Sequence, residues 1–597
     1  MFLKRNCRRK DGKDHYYWNI VENKRVRGGR VVQRQVLYLG EINDSQQAAW
    51  RKTLEIFEEG RPRPEQIALF PQERAPDIDD GSIVRIRLKD LTIENPRQWG
   101  ACWLACLLYE QLGLGEFWRE RLRPSREGTD WAAILQTLVS YRLISPGSEW
   151  RLHREWFQNS AMADLLGSDF SLAEKNALYR CHDRLTEHKK ALFAHLTQKW
   201  SDLFNARYDV LLYDLTSTYF ECDPNEEPAA SSRLRKRGYS RDKRPDCLQV
   251  VIALIVTPEG FPVAYEILPG NTADKTTLAG FLSRIEEDYG KANRIWVMDR
   301  GIPTEEVLEQ MRDSDPPVQY LVGAPRASLG KYEQELLRKD WQSLRPGIDV
   351  KLFSDQGETY VLARSKDRAL KEKGIRLRKL RELVKALKKL RDTRRHYKRD
   401  TILMKLGAAK KEAGPRIWAL LDIDIAPPQA PAGQPPVSFR LNWKKYRRSY
   451  RREGRYLLRT ILDSKEPGRI WSFYLQLTEI EQVFKEMKND LAIRPIYHQK
   501  DDRIEAHIFI SFLAYCLWVT LKRRLRDLAP GLTPAEVLSK LSAIQMLDVK
   551  LPTTDGRTVV LTRRTEPNED QKLLLEQMKL ALPPQPPPKI EPKTAQV

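Results

Sequence analysis

Three carboxylates in this chain have the type and setting for metal-assisted chemistry. Asp214 lies inside LLYDLTSTYF, among apolar and β-branched residues. A carboxylate there is costly to bury unless a metal ion or a basic partner compensates it. The ordinary alternative is a strand-end Asp bonded to Thr216 or Ser217. Asp299 closes the run IWVMD ahead of Arg300-Gly301. A carboxylate where a buried strand ends stands at the mouth of a site; otherwise it is a turn-forming Asp. Glu481 lies in a helix-period stretch where Tyr474, Glu481 and Lys488 recur two turns apart on one face. Its plain alternative is a surface Glu paired with Lys485 at i+4. Glu479, Glu486, Asp422 and Asp424 are competing acids.

These residues need elements to bring them together. YDVLLYDLTSTYFE reads as a strand, and LQVVIALIVT with FPVAYEIL as a hairpin turning at Pro258-Glu259-Gly260. DKTTLAGFLSRIEEDYG predicts a helix, RIWVMDRG a strand, PTEEVLEQMRD a helix with Pro303 at its start, and VQYLVGAP a strand. Three strands, helix, strand, helix, strand suggests a mixed α/β sheet of the ribonuclease-H type. Asp214 and Asp299 then fall on neighbouring strands. IWSFYLQLTEIEQVFKEMKNDL reads as one helix, striped by Ile480, Phe484, Met487 and Leu491. Glu481 borders that stripe and can face the sheet. IEAHIFISFLAYCLWVTLKRRL is a second, strongly apolar helix.

The rest of the chain divides by composition. Residues 1–89 predict a basic hairpin, with Arg25, Arg27, Arg30 and Arg34 around a Gly28-Gly29 turn, then a helix over 45–59. Residues 90–205 are mainly helical and suit either DNA binding or packing. The ribonuclease-H-like core begins over 206–325. Residues 326–466 form a basic insertion domain. Its 366–414 stretch holds 19 Lys/Arg against 6 Asp/Glu, a net of +13, with one apolar side. That sign imbalance favours phosphate binding over a merely solvated face. IAPPQAPAGQPP is a linker by composition, and FRLNWKKYRRSYRREGRYLLRTI reads as a basic hairpin with interleaved aromatics. Cations hold phosphates, and aromatic faces stack on unpaired bases. The core resumes over 467–525 with the Glu helix and its successor. Residues 526–597 form a C-terminal region whose tail, PPQPPPKIEPKTAQV, is expected to be disordered.

Composition narrows the function class. With 597 residues, 41% hydrophobic and 31% charged, the chain is a folded multidomain protein. A net charge of +22 favours a polyanionic partner. No run of about 20 apolar residues and no secretory signal is evident, so no membrane association is expected and the chain is placed in the cytoplasm. Cys102 and Cys106 sit in an apolar helical pattern without a second pair, which argues for buried thiols rather than structural zinc.

DLTSTYFE, PGNTADKTTL, VMDRG and the spacing Y-x2-L-x3-E-x6-K, in that order, closely resemble the bacterial insertion-sequence transposases of the DDE type, and more narrowly those of the YREK-motif group. GYSRDKRPDCLQV and RIEAHIFISFLA resemble the same group, over roughly residues 130–525. The resemblance implies a ribonuclease-H-like fold with Asp214, Asp299 and Glu481 as catalytic metal ligands. It also implies an insertion between Asp299 and Glu481, where 182 positions leave room for one. Tyr474 and Lys488 would contact phosphates at the transposon end. Leu477 stands where the family pattern has Arg, and Lys485, Arg494 or the basic hairpin would compensate.

The implied chemistry is metal-dependent cleavage at terminal inverted repeats, then attack of the freed 3′-OH on target DNA. Two hard cations, Mg²⁺ or Mn²⁺, about 3.5–4 Å apart between carboxylates suit such a displacement. Joining two ends implies a homodimer during synapsis and association with the nucleoid when bound to DNA. Two other classes fit the same residues: a metal-dependent nuclease without strand transfer, and a DNA-binding protein with an inert centre.

Overall fold

The computed structural model describes residues 2–10, 13–25, 31–41, 85–221, 232–273, 277–289, 294–338, 340–393, 398–427, 435–462, 466–554 and 556–591. It divides into two compact units, one comprising Met1–Trp99, Ile544–Lys572 and Leu580–Val597, the other Gly100–Ala543 and Leu573–Lys579.

The first unit holds two antiparallel sheets. The strands Phe2–Lys10, Lys13–Arg25 and Val31–Gly40 pair in chain order and bury Trp18, Ile20 and Val21. The Gly28-Gly29 turn, Arg27, Arg30 and the helix expected over 45–59 lie outside the described residues. In the second sheet the order is Lys589–Glu591, Thr558–Arg564, Gln545–Pro552, Thr92–Gln98. The start of the region read as helical is therefore a strand. It is pinned by Asp548, which accepts from Arg97 at 2.8 Å, Asn95 at 3.1 Å and Thr562 at 2.9 Å. The proline-rich tail is also ordered as far as Glu591, contrary to the composition reading. Its carbonyls accept where prolines cannot donate: Arg564 bonds Pro583 O at 2.9 Å and Arg563 bonds Pro586 O at 2.6 Å.

The second unit is built on a nine-stranded sheet. Its spatial order is Gln342–Arg345, Ile348–Asp355, Glu358–Ser365, Arg455–Thr460, Gln319–Gly323, Ile295–Met298, Val210–Tyr219, Gln249–Val256, Pro262–Pro269. The strands Gln319–Gly323, Ile295–Met298 and Val210–Tyr219 run parallel, and all other neighbours are antiparallel. Gln249–Val256 is buried throughout, and Val210–Tyr219 nearly so, as strands covered on both faces must be. Thr304 caps the helix Glu305–Asp313 through Val307 N at 3.3 Å, so Pro303 precedes the cap rather than opening the helix.

The segment 326–466 departs from its reading as a separate insertion domain. Four of its strands extend the core sheet beyond Gln319–Gly323. The helices Lys366–Arg391 and Arg399–Ala413, with the two-stranded sheet Leu421–Ile425 and Val437–Leu441, form a core of their own around Leu383, Leu387, Leu406 and Val437. The basic hairpin is a helix, Trp443–Arg452. Asn442 caps it through Lys445 N at 3.0 Å, and no turn residue interrupts the run until Gly454 at φ +66°. None of that helix is buried.

One described helix, Asp501–Leu528, is long and apolar enough to cross a membrane, but Ile504 and the unbroken run from Ala506 to Leu521 are packed inside the protein. It lies against the helices Trp131–Ile144 and Gly100–Gln111. Cys102 is buried and unpaired.

Candidate active site

Asp214 is the one break in the buried run Val210–Thr218. The parallel pairing runs to Tyr213↔Met298, the residues immediately before Asp214 and Asp299. Adjacent strands lie about 4.8 Å apart, so the two carboxylates leave the sheet side by side. Asp214 accepts only the Leu215 amide, at 2.8 Å, and Ser217 Oγ is taken by Arg241 N at 3.1 Å. The local hydroxyls therefore do not satisfy Asp214. Burial pushes its carboxyl up to about 7; the Leu215 amide and Arg241 oppose this, and the charges of Asp299 and Glu481 add to it. Asp299 is exposed, and its backbone carbonyl closes the turn by accepting Ile302 N at 3.2 Å.

Glu481 is exposed on the helix Leu477–Asn489, which buries Leu477, Ile480, Val483, Phe484 and Met487 and packs on the Asp214 strand. It forms no ion pair among the described residues, with Lys485 or any other base. Tyr474 is not on this helix. The stretch read as one helix breaks at Gln476, whose N–H turns back to Phe473 O at 3.1 Å. The two pieces pack on different strands: Pro467–Leu475 on Ile348–Asp355 and Gln319–Gly323, and Leu477–Asn489 on Val210–Tyr219. A straight helix cannot follow that much of a twisted sheet. Tyr474 still reaches the acids. Burial first, then the charge of Asp299, pushes its hydroxyl up to about 12. A Cβ on Gly323 would stand 3.0 Å from that hydroxyl, so the strand end must stay small.

The family described as Transposase DDE domain matches residues 209–517, over half of the chain and all three acids. The chain belongs to the DDE transposases. The family described as IS1634 family transposase, N-terminal domain, matches residues 3–65, so this is an insertion-sequence transposase. A solved piggyBac transposase synaptic complex with hairpin DNA is 10% identical, covers 76% of this chain and 82% of its own, and has a TM-score of 0.34. At that level the likeness settles nothing about fold or site. No curated protein matches.

Two of the transposase's four competing acids, Glu486 and Asp422, are otherwise engaged. Glu486 is buried and takes Lys522 at 2.8 Å and Gln482 at 3.1 Å. Asp422 is in the separate two-stranded sheet, bonded by Asn442 at 3.1 Å.

Lys488 and Arg494 both bind Asp242, Lys488 at 2.8 Å. Sequence reasoning noticed GYSRDKRPD but gave Asp242 no role, because its partners lie 246 or more positions away. Lys485 is exposed. Sequence reasoning also missed a cavity of about 180 Å³ beside Asp299, lined by Arg300, Arg368, Arg455, Tyr456 and Tyr474. Of these, Tyr474 was already expected to contact phosphate, and Arg300 carried a local signal in its place next to Asp299.

Proposed function

We propose that Asp214, Asp299 and Glu481 hold two divalent cations of the Mg²⁺ or Mn²⁺ class, and that the transposase cuts at its terminal inverted repeats and transfers the freed 3′-OH to target DNA. The adjacent register of Asp214 and Asp299, with Glu481 near enough to raise Asp214, carries this reading. The donor set fits hard cations: three carboxylates, one of them half-buried and raised towards neutrality despite Arg241. Bound there, the cations neutralise charge on the scissile phosphate and activate an oxygen nucleophile. The order of the five core strands supports a ribonuclease-H-like fold, and Tyr474, Glu481 and Lys488 support the YREK-motif group.

The protein's own part is positioning. Tyr474, Arg300, Arg368 and Arg455 seat a phosphate beside Asp299. Leu477 is buried at 9% exposure and packs where an Arg would face DNA, so Arg300 and Lys485 take over that contact. Asp242 holds Lys488 and Arg494 in place beside the Glu helix. The helix Trp443–Arg452 offers Trp443 and Tyr450 among its cations as a DNA-tracking face. Two copies meet when two ends are joined.

Purified protein with end-bearing DNA and Mg²⁺ tests this: strand-transfer products support it, cleavage without joining supports the nuclease, and binding without cleavage defeats both. Lys488→Ala is expected to weaken end binding at all salt concentrations and to lower the salt slope by about 1. An unchanged slope would remove Lys488 from the phosphate contacts.

The raised pKa of Asp214 gives a pH signature. The folded, cation-free protein holds this proton more tightly than the unfolded chain, so stability falls as pH rises from about 4 through about 7. A cation that needs the carboxylate works the other way. Added Mg²⁺ is expected to raise the melting temperature at pH 8 and to have little effect at pH 6, which a thermal melt at the two pH values reads directly.

A further inference from the structure

Away from the three acids, three of the chain's eight histidines converge on one buried carboxylate. Glu149 follows Ser148, the cap of a short helical turn. His182 ends the helix Lys175–His182, and His498 lies between the Glu481 helix and the helix Asp501–Leu528. Glu149 Oε1 is 3.6 Å from His182 Nε2 and 3.4 Å from His498 Nε2. One ligand atom from each residue lies within 4.8 Å of the other two. Exposures are 4%, 1% and 7%, so these groups are shut away from water.

Their hydrogen bonding is incomplete. Neither ring nitrogen of His182 has a hydrogen-bond partner, and His498 Nε2 meets only the Glu149 carboxylate, at 3.4 Å. Leaving buried donors or acceptors unsatisfied costs about 1–3 kcal/mol each. Arg142 does not relieve them. Its guanidinium is 3.8 Å from Glu149 Oε1 and is directed to Ala492 O at 3.1 Å and His507 Nδ1 at 3.5 Å.

We infer that Glu149, His182 and His498 form a structural site for one transition-metal dication of the zinc class. In a tetrahedral zinc site with bonds of about 2.0–2.2 Å, ligand atoms stand roughly 3.3–3.5 Å apart, close to the 3.6 and 3.4 Å from Glu149 Oε1 to the two imidazoles. Imidazole and carboxylate donors suit zinc better than Mg²⁺. His507 Nδ1, 4.0 Å from the same carboxylate oxygen, faces the Arg142 guanidinium and is not one of the three ligands. Its Nε2 donates to Ile493 O at 3.2 Å while Nδ1 accepts from Arg142 at 3.5 Å, which fixes the ring beside the site. A cavity of about 1010 Å³ with His182, Asp183 and Arg503 in its wall offers an entry path. The site ties residues 142–182 to the segment leaving the Glu481 helix, where Arg142 and His507 already grip Ala492 and Ile493. It therefore holds the far end of that helix, separately from the catalytic cations.

Full-length protein purified without chelator is expected to carry one equivalent of zinc by plasma mass spectrometry and to lose melting temperature when it is stripped. Asp299→Ala keeps this zinc. His498→Ala and Glu149→Gln lose it, with affinity reduced on the order of 100-fold or more. Should those variants fail to fold, the stripped wild type decides: added Co²⁺ gives the intense visible bands of a tetrahedral nitrogen–oxygen site. Wild-type protein with neither zinc nor a Co²⁺ spectrum would overturn the inference and leave a metal-free Arg142–Glu149 pair. Zinc content unchanged in a His182→Ala, His498→Ala double variant would overturn it as well.

Discussion

Replacing Asp299 with Ala is expected to abolish DNA cleavage and strand transfer while leaving the fold intact. Metal-assisted displacement draws several kcal/mol from its cations, and each 1.36 kcal/mol is tenfold in rate, so the loss is on the order of 10³-fold or more. The fold survives because the side chain is exposed and makes no bond that the turn needs. The turn is closed by the Asp299 carbonyl to Ile302 N, which Ala retains. Removing a negative charge beside Arg300 and Arg455 is expected to preserve or tighten DNA binding. Strand-transfer assays on end-bearing DNA, with a thermal melt and a binding titration on the same preparation, check all three. Cleavage within tenfold of wild type would remove Asp299 from the chemistry.

Glu358→Ala is expected to destabilise the second unit by about 3–5 kcal/mol, the cost of breaking a buried ion pair by removing one partner. Glu358 is 4% exposed at the start of the strand Glu358–Ser365. It accepts from Arg312 at 2.8 Å, Arg459 at 2.9 Å and Tyr360 at 3.1 Å, and from the Tyr320 hydroxyl. Tyr320 belongs to the core strands, while Arg459 and Tyr360 belong to the strands that extend the sheet. One carboxylate therefore fastens the extension, from which the chain returns towards the Glu481 helix. Without it two guanidiniums and two hydroxyls lose their shared acceptor. Glu358→Gln keeps an acceptor and is expected to lose less. Urea denaturation followed by tryptophan fluorescence reads the difference; an Ala variant within 1 kcal/mol of wild type would show that Glu358 does not hold this junction.

The legible and illegible parts of the structure differ in how local their causes are. The strands carrying Asp214 and Asp299 could be read because their burial is written in short apolar runs, and the order of elements placed them side by side. Glu481 was chosen from helical spacing, yet that spacing assumed a helix that breaks at Gln476. The break follows the curvature of a sheet assembled from distant segments. The helix Trp443–Arg452 was misread as a hairpin because its basic-aromatic alternation imitates a strand, while Asn442 and Gly454 mark a cap and a stop. The extension of the core sheet by residues 342–365 and 455–460 has no sequence signature, since strand partners are chosen in three dimensions. Asp242 and the Glu149–His182–His498 cluster were invisible for the same reason. Histidines spaced 33 and 316 positions from their acid and one another form no motif.

The central claim is that Asp214, Asp299 and Glu481 share bound cations. Iron-directed backbone cleavage tests it most directly: Fe²⁺ is supplied in place of Mg²⁺ to the complex with end-bearing DNA, and ascorbate and peroxide cut the chain beside the bound ion. The account predicts cuts clustered at Asp214, Asp299 and Glu481 that disappear in Asp299→Ala. Wild-type protein uncut at those positions, or cuts that persist there in the variant, would contradict it.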